Sequence, residues 1–247
     1  MKKNEARERI ASPTPNANAN ANANANAGRR PEQRLGLKGS RTRLRLMAAG
    51  LELLSTQSAV SLTAAAIARK AETSSATFYV YFNDVGELVF ALAREATEDL
   101  GNVFAALENW VAGQPAEQGA NAFVEAYRDY WNEHRPILLL RNMEADRGDR
   151  RFQEMRSSAG ALILRPLAGL IKKGHADEAL TDEQALARAV VIFAAIERMA
   201  ATETIYRDEH PMPSFNAMRG AQVSVLASLV EPMDRIQKQE KPLAAER

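Results

Sequence analysis

The stretch from Thr63 to Asn83, TAAAIARKAETSSATFYVYFN, decides the fold. It predicts two short helices around a tight turn. The hydroxyl of Thr63 can cap the first helix, which runs to Ala71 with an inward face of Ile67, Ala68 and Ala71. Glu72-Thr73-Ser74 forms the turn. The second helix covers Ser75–Phe82, with its inward face formed by Phe78 and Phe82 at a spacing of four.

The outward face of the second helix carries hydrogen-bonding groups and no acid. This arrangement suits a helix that lies in the major groove of DNA, where side chains meet base edges and acids repel phosphate. The candidates for base or backbone contact are Thr63, Ser74, Ser75, Thr77, Tyr79, Tyr81 and Asn83. A plain structural role remains the alternative, because short helical turns are common in all-helical proteins.

Helices flank this unit on both sides. The preceding one covers about Ser40–Ser55, with an apolar face of Leu46, Met47, Gly50, Leu51 and Leu54. Asp84 with Glu87 three residues later predicts a capping box that opens a long fourth helix, which ends near Val111 before Gly113 and Pro115.

The charge of the chain is split. Residues 1–47 hold eleven Lys and Arg against three acids, a net charge of +8, whereas the rest carries −7 and the whole chain +1. This asymmetry predicts a polyanionic partner at one end, with Lys38, Arg41, Arg43 and Arg45 placed to touch the phosphate backbone. The alternative is a solvated basic tail that aids solubility. Residues 1–39, with the alternating Asn-Ala repeat of 16–27, are predicted to be a disordered arm.

The second half of the chain continues in helices, which makes nine helices and no sheet: an all-α fold. The later ones are predicted at Gly119–His134, Ile137–Glu144 after Pro136, Arg150–Lys173 with Pro166 inside and Leu162 inward, Thr181–Arg207 and Phe215–Met233. The run Thr181–Gln184 predicts a capping box. The expected parts are the arm (1–39), a DNA-binding head (40–86, with the two-helix unit at about 63–82), a helical body (87–235) and a flexible tail (236–247).

Composition excludes several classes of protein. The chain has no cysteine, which rules out disulfide scaffolds, thiol catalysis and Cys-ligated zinc. No apolar run reaches the roughly 20 residues of a membrane span, and no signal peptide is visible, so we expect a cytoplasmic protein that does not bind membranes. His134, His175 and His210 are far apart in the sequence. We therefore expect no catalytic site, no metal and no cofactor.

The head is similar to that of the TetR family of bacterial transcription regulators. The match runs without a gap over about a fifth of the chain, as Leu46-Met47-x-Ala49-x-Leu51-x-x-Leu54, Thr63-x-x-x-Ile67-Ala68-x-x-Ala71, Ser74-x-x-Thr77-Phe78-Tyr79-x-Tyr81-Phe82 and Glu87-Leu88. The chain departs from the family pattern at Ser58, Glu72 and Ala76, where Gly is usual, at Val85, where Lys is frequent, and at Gly50, where Ala is usual. Glu72 must therefore accept or avoid a left-handed backbone.

The resemblance implies a homodimer formed through the last two helices, whose two heads contact a palindromic operator in double-stranded DNA. Repression is the usual mode of the family. The resemblance also implies a pocket in the body for a small apolar effector, whose binding shifts the fourth helix and changes the spacing of the heads.

Candidate residues for the effector pocket are aromatic, Met or polar residues of the body. They are Trp110, Phe123, Tyr127, Trp131, Arg141, Asn142, Phe152, Met155, Phe193 and Glu197. For the apolar ones, core packing is the default interpretation, and for the charged ones a solvent edge or an internal pair. A helical interaction module, or a small-molecule-binding protein without DNA binding, is the rival function.

Overall fold

The computed structural model describes residues 37–56, 62–176, 179–203 and 213–231, with side chains from residue 39 on. Within these residues the chain forms nine α-helices and no β-strand. The helices are α1 (Leu37–Thr56), α2 (Ala64–Lys70), α3 (Ser75–Tyr81), α4 (Val85–Glu98), α5 (Gly101–Val111), α6 (Ala116–Asp146), α7 (Arg150–Gly174), α8 (Asp182–Thr202) and α9 (Phe215–Val230). The predicted all-α fold is confirmed.

The chain divides into two compact units after Leu44. The described part of the first unit is the beginning of α1. The second unit, Arg45–Arg247, contains the rest of α1, the other eight helices and the hydrophobic core. Residues 37–39, predicted as the end of the disordered arm, begin α1 instead. The rest of the predicted arm, Ser58, His210, the predicted end of the eighth helix at Arg207 and the predicted tail lie outside the described residues.

Local capping builds the two short helices as the sequence predicts. The Thr63 hydroxyl accepts a hydrogen bond from the backbone N–H of Ala66 at 3.1 Å, and the Ser74 hydroxyl accepts one from Thr77 at 3.1 Å. Ile67 and Phe78 are fully buried beneath them. Each helix therefore starts at a side-chain cap and is held by one large apolar anchor.

Glu72 adopts the left-handed backbone in the turn between α2 and α3, with φ +50°. This conformation costs an L-residue about 1–2 kcal/mol, whereas glycine adopts it freely. We expect Glu72→Gly to raise the free energy of unfolding by about 1 kcal/mol in urea denaturation. Ala65→Gly, on the exposed side of α2, should lower it by about 1 kcal/mol. A loss of stability in Glu72→Gly would contradict the strain at this turn.

The prediction of one continuous fourth helix over Asp84–Val111 is wrong, because this segment forms two helices, α4 and α5. The chain turns at Asp99 and Leu100 between α4 and α5. Asp99 accepts a hydrogen bond from His134 at 3.0 Å when the ring nitrogen carries the proton, and Leu100 is buried. Asp99, Gly101 and Asn102 are weak helix formers, so the break costs little locally, and the His134 contact and the burial of Leu100 place it here.

The predicted break at Pro136 is also wrong, because α6 runs through it from Ala116 to Asp146. Trp131, Ile137 and Leu138 on either side of the proline are fully buried. Their burial offsets the lost backbone hydrogen bond. These two errors, one split and one fusion, cancel in the helix count.

Two residues predicted to face inward are exposed. Leu51 is 37% exposed, and Leu162 of α7 is 59% exposed. Other exposed apolar side chains lie on α8 and α9. A helical period predicts which residues share a face, but not whether another helix covers that face.

Candidate DNA-binding and effector sites

The α3 helix presents a short polar face to solvent. Ser75 and Tyr79 are exposed, Tyr79 by 58%, and its ring packs edge-on against the buried ring of Phe78 at 5.4 Å. Val80, which sequence reasoning missed, is 70% exposed beside them. A valine side chain there adds an apolar group of the kind that contacts a thymine methyl.

The other predicted polar residues of this unit have structural partners. Ser74 and Thr77 share a hydrogen bond of 2.9 Å between their hydroxyls, and Tyr81 packs partly against the core. Asn83 is exposed, and its backbone N–H donates to the Glu87 carboxylate at 2.7 Å. The carboxylate of Asp84 accepts from the Glu87 N–H at 2.7 Å, so Asp84 caps the helix as predicted. The reciprocal half of the predicted capping box does not form, because the Glu87 carboxylate bonds the N–H of Asn83 rather than that of Asp84.

The predicted basic residues of α1 differ in their surroundings. Arg41 is exposed, and Arg43 is half-buried and has a partner. The guanidinium of Arg45 donates to the backbone carbonyl of Ala71 at the end of α2 and lies 3.9 Å from the Glu72 carboxylate. Arg45 thus holds the turn in place. The side chain of Lys38 lies outside the described residues. Arg69, in the last turn of α2, is a further exposed cation near the recognition unit that was not among the predicted DNA contacts.

Gly50 brings α1 and α4 close together. A Cβ at this position would lie 2.7 Å from the Cδ2 atom of Leu88, which is fully buried. The departure from the family's usual alanine therefore has a packing reason. Because Leu88 packs directly against the backbone of α1 at Gly50, a displacement of α4 toward α1 at this point must also displace α1.

A buried polar cluster lies between α4, α6 and α8. Arg141, 4% exposed, donates from Nε to Asn142 at 3.1 Å and from an η nitrogen to the Thr97 hydroxyl at 3.3 Å. The Glu197 carboxylate lies 3.6 Å from Arg141 and accepts from the Asn142 amide at 3.3 Å. The predicted polar residues Arg141, Asn142 and Glu197 therefore contact one another, and the Arg141–Glu197 ion pair lies inside the body rather than at a solvent edge.

This cluster borders a cavity of about 40 Å³. The cavity is lined by Leu100, Tyr127, Tyr130, Arg141, Arg156, Ala159, Gly160, Ile163, Phe193 and Glu197. Burial, reinforced by the negative charge of Glu197, raises the pKa of Tyr127 far above its usual range. Burial also raises the pKa of Tyr130. Both hydroxyls stay protonated at physiological pH, so each can donate a hydrogen bond.

The structure brings together four of the ten predicted pocket residues around this cavity: Tyr127, Arg141, Phe193 and Glu197. Phe123, Trp131 and Phe152 are fully buried core residues, and Met155 packs partly against the same core. Trp110 is buried as well and lines a different depression, near Pro115 and Val230.

An apolar groove that no sequence pattern identified as a site lies between α5 and α7. Its volume is about 480 Å³, and its lining is Phe104, Leu107, Glu108, Val111, Ala112, Leu162 and Pro166. The volume falls in the range of small-molecule sites, about 300–1,000 Å³. Leu162 and Val111 are exposed apolar side chains at the groove. The sequence could not reveal the groove, because their exposure depends on how the helices pack.

The α8 and α9 helices share an exposed apolar surface. We call it the α8–α9 face; Leu186, Val190, Val191 and Val225 on it are 42–72% exposed. A groove of about 380 Å³ on this face is lined by Ala187, Arg188, Val191, Ile192, Ala195, Val225 and Leu229. Such a contiguous apolar patch is typical of a protein–protein interface.

Ion pairs tie these helices to α6. Arg128 donates from Nε to both carboxylate oxygens of buried Glu203, at 3.0 and 3.1 Å, and this bond raises the pKa of Arg128. Arg135 donates to the carbonyls of Ala200 and Ala201 at the end of α8. Arg219 of α9 lies 2.5 Å from the Glu125 carboxylate. The contacts fix both helices on α6 and leave the α8–α9 face outward.

One group of side chains has the atoms of a metal site. Ligand-type atoms of Asp99, Glu133 and His134 lie within 4.8 Å of one another, but Asp99 and Glu133 are exposed. Their arrangement is also that of an ordinary surface hydrogen-bonded pair beside an acid.

The capped two-helix unit with its exposed hydroxyl-bearing face defines the class of helix-turn-helix DNA-binding regulators. Family models agree with that class. The model for bacterial regulatory proteins of the tetR family matches residues 46–92, and the model for the tetracyclin repressor-like C-terminal domain matches residues 102–206. The chain belongs to the TetR family of transcriptional regulators. The resemblance noted in the sequence is confirmed.

Solved structures share the fold at low sequence identity. A regulatory protein of the tetR family from Rhodococcus RHA1 is 16% identical, with a TM-score of 0.57 over 77% of this chain and 97% of that one. A protein of unknown function from Rhodococcus sp. RHA1 is 21% identical, with a TM-score of 0.58 over 82% and 99%. FadR from Bacillus subtilis, solved in complex with stearoyl-CoA, is 14% identical, with a TM-score of 0.53 over 76% and 99%.

No protein with a curated description matches the chain. None of the described helices combines the length and the apolar character that crossing a lipid bilayer requires.

Proposed function

We propose that this protein is a ligand-responsive repressor that binds a palindromic operator as a homodimer and leaves it when a small apolar effector binds. It acts in the cytoplasm, by binding rather than by catalysis. The observation that carries the proposal is the α2–turn–α3 unit, which presents Ser75, Tyr79 and Val80 on a helix held by two side-chain caps. An exposed face with no acid on a fixed short helix is what major-groove contact requires.

The contacts divide into two kinds. Ser75, Tyr79 and Val80 would meet base edges and supply sequence choice, with Thr77, Tyr81 and Asn83 at the margin of the interface. Thr63, Ser74 and the basic residues Lys38, Arg41, Arg43 and Arg45 would meet phosphates and supply affinity. The negative remainder of the chain keeps the body away from the DNA.

The dimer forms through the α8–α9 face. Its exposed valines and alanines would pack against the same face of a second copy around a two-fold axis. Small side chains such as Ala187 and Ala195 allow the helices of the two copies to approach closely. Two heads related by that axis contact two half-sites of a palindrome.

The effector acts through α4. A ligand in the body that moves α4 shifts Leu88 against Gly50, and the displacement reaches α1 and the recognition unit. DNA-bound and ligand-bound states then exclude each other, as population shift requires. The stearoyl-CoA complex of Bacillus subtilis FadR shows that a related fold accepts an acyl ligand, which supports an apolar effector here.

A footprint on the DNA upstream of the protein's own gene tests the proposal. We expect protection of one palindrome with two half-sites about one helical turn apart. Protection without sequence preference, or none at all, would overturn the proposal and favour an interaction module or a ligand-binding protein without DNA binding.

The basic arm is expected to add affinity but no sequence choice. Deleting residues 1–37 removes seven Lys and Arg and three acids, so operator binding should weaken and the slope of log K against log salt should become shallower. A full-length variant with those seven residues changed to Gln separates charge from length. Fluorescence anisotropy at several salt concentrations measures both. An unchanged slope in both variants would exclude the arm from the interface.

A further inference from the structure

The small internal cavity has more hydrogen-bond donors than acceptors. The Arg141 guanidinium carries five N–H groups, of which the structure pairs one with Asn142 and one with Thr97. The nearest Glu197 oxygen stands at 3.6 Å, beyond a normal hydrogen bond, and also serves Asn142. A buried guanidinium with spare donors favours an acceptor that arrives from outside the protein.

Tyr130 supplies an independent observation. It is 6% exposed and lines the same cavity, and the Arg141 guanidinium lies beside its oxygen, yet the hydroxyl makes no hydrogen bond of normal geometry and its proton has no acceptor. An orphaned buried hydroxyl costs about 1–3 kcal/mol, so it is retained for a reason. Because burial raises the pKa of Tyr130, the group is a donor under all ordinary conditions. The lining holds two arginines, Arg141 and Arg156, against one carboxylate, Glu197, so its own charges leave room for one further negative charge, although Asp146 binds Arg156 at 2.8 Å.

The cavity and the apolar α5–α7 groove lie along the same two helices. Leu100, the N-cap of α5, lines the cavity, and Phe104 one turn later lines the groove. On α7, Ile163 lines the cavity, whereas Leu162 and Pro166 line the groove. At about 40 Å³ the cavity holds only a headgroup of a few atoms, while the groove of about 480 Å³ holds a chain.

We propose that the cavity and the groove form one site for an amphiphilic monocarboxylate. The carboxylate accepts hydrogen bonds from Tyr130 and Arg141, and the apolar chain lies between α5 and α7. This inference rests on the proposed function, since it names the chemical class of the effector. Glu108 at the groove disfavours a second negative charge on the chain, which restricts the class to monocarboxylates.

Calorimetry with decanoate and decan-1-ol tests the headgroup, because the two probes share one chain. The full-length protein should bind decanoate at least about tenfold more tightly, since charge-assisted hydrogen bonds are stronger than neutral ones. Tyr130→Phe should weaken decanoate about tenfold, leave decanol unchanged and not lower the melting temperature, because the hydroxyl that is lost makes no hydrogen bond of normal geometry inside the protein.

Leu162→Glu tests the groove. This exposed side chain can change without a folding penalty, and a charge there should weaken both probes. Leu139→Glu, a similarly exposed leucine on α6 outside the groove lining, is the matched control and should change neither.

Equal affinities for acid and alcohol, no binding of decanoate, or an unaltered affinity in Tyr130→Phe would each overturn the inference. DNA binding measured in parallel separates the two proposals. Selective decanoate binding in a protein that binds no operator would confirm the site and overturn the proposed function. The converse result would overturn only the site.

Discussion

Val191→Arg is expected to convert the protein to a monomer and to lower its affinity for a palindromic operator about 100-fold or more. Val191 is 72% exposed at the centre of the α8–α9 face, between Ala187 and Ala195 one turn to either side. A guanidinium from each copy would meet its symmetry mate in the proposed interface, unpaired and stripped of water. A monomer places one head on DNA at a time and loses the gain from linked half-sites, about 10²–10⁴ in affinity.

Analytical ultracentrifugation at micromolar concentration measures the assembly, and fluorescence anisotropy measures operator affinity. Leu139→Arg introduces the same charge at an exposed leucine of α6 and should leave both unchanged. Circular dichroism should show the same helix content in all three proteins, because neither side chain is buried in the single chain. A Val191→Arg protein that remains a dimer would place the interface elsewhere.

Gly174→Ala is expected to lower the free energy of unfolding by about 3 kcal/mol, because the new methyl group has no space. A Cβ at Gly174, the last residue of α7, would overlap the backbone carbonyl of Val230 at the end of α9. Backbone cannot rotate away as a side chain can, so α9 must move. Since α9 forms part of the α8–α9 face, the same substitution should also weaken dimerisation.

Gly169→Ala, on the same helix, is the matched control. Its Cβ would meet no atom within 4 Å, and alanine favours the helix by about 1 kcal/mol over glycine, so this variant should be as stable as wild type or more so. Urea denaturation of the two variants measures the contrast. Equal stabilities would contradict the close approach of α7 to α9.

The DNA-binding head could be predicted from sequence because its determinants are local. Thr63, Ser74 and Asp84 cap helices within three residues of themselves, and Phe78 and Phe82 share a face by helical period alone. The sequence left open whether Glu72 accepts or avoids a left-handed backbone, and the structure shows that it accepts one. Val80 was missed because the polarity of a side chain, rather than its position, selected the candidates.

The helix boundaries of the body could not be predicted where contacts between residues distant in the sequence determine them. The turn at Asp99 depends on His134 and the burial of Leu100, and the continuity through Pro136 depends on the burial of Trp131 and Ile137. Phe123, Trp131 and Phe152 were candidates for a pocket, but they pack in the core, which was their default interpretation. The groove between α5 and α7 is lined instead by Leu162, which the helical period predicted to face inward. Which apolar face stays uncovered is a property of the packed helices.

Selection of binding sites from random duplex DNA by the full-length protein tests the central claim most directly. The account predicts enrichment of one two-fold symmetric sequence, with affinity measured against a scrambled duplex. It also predicts that Tyr79→Ala, at an exposed position of α3, removes the preference while the protein stays folded, with only a small fall in melting temperature from the lost edge-on contact with Phe78. Enrichment of no sequence, or the same preference in Tyr79→Ala together with Ser75→Ala, would contradict recognition by α3.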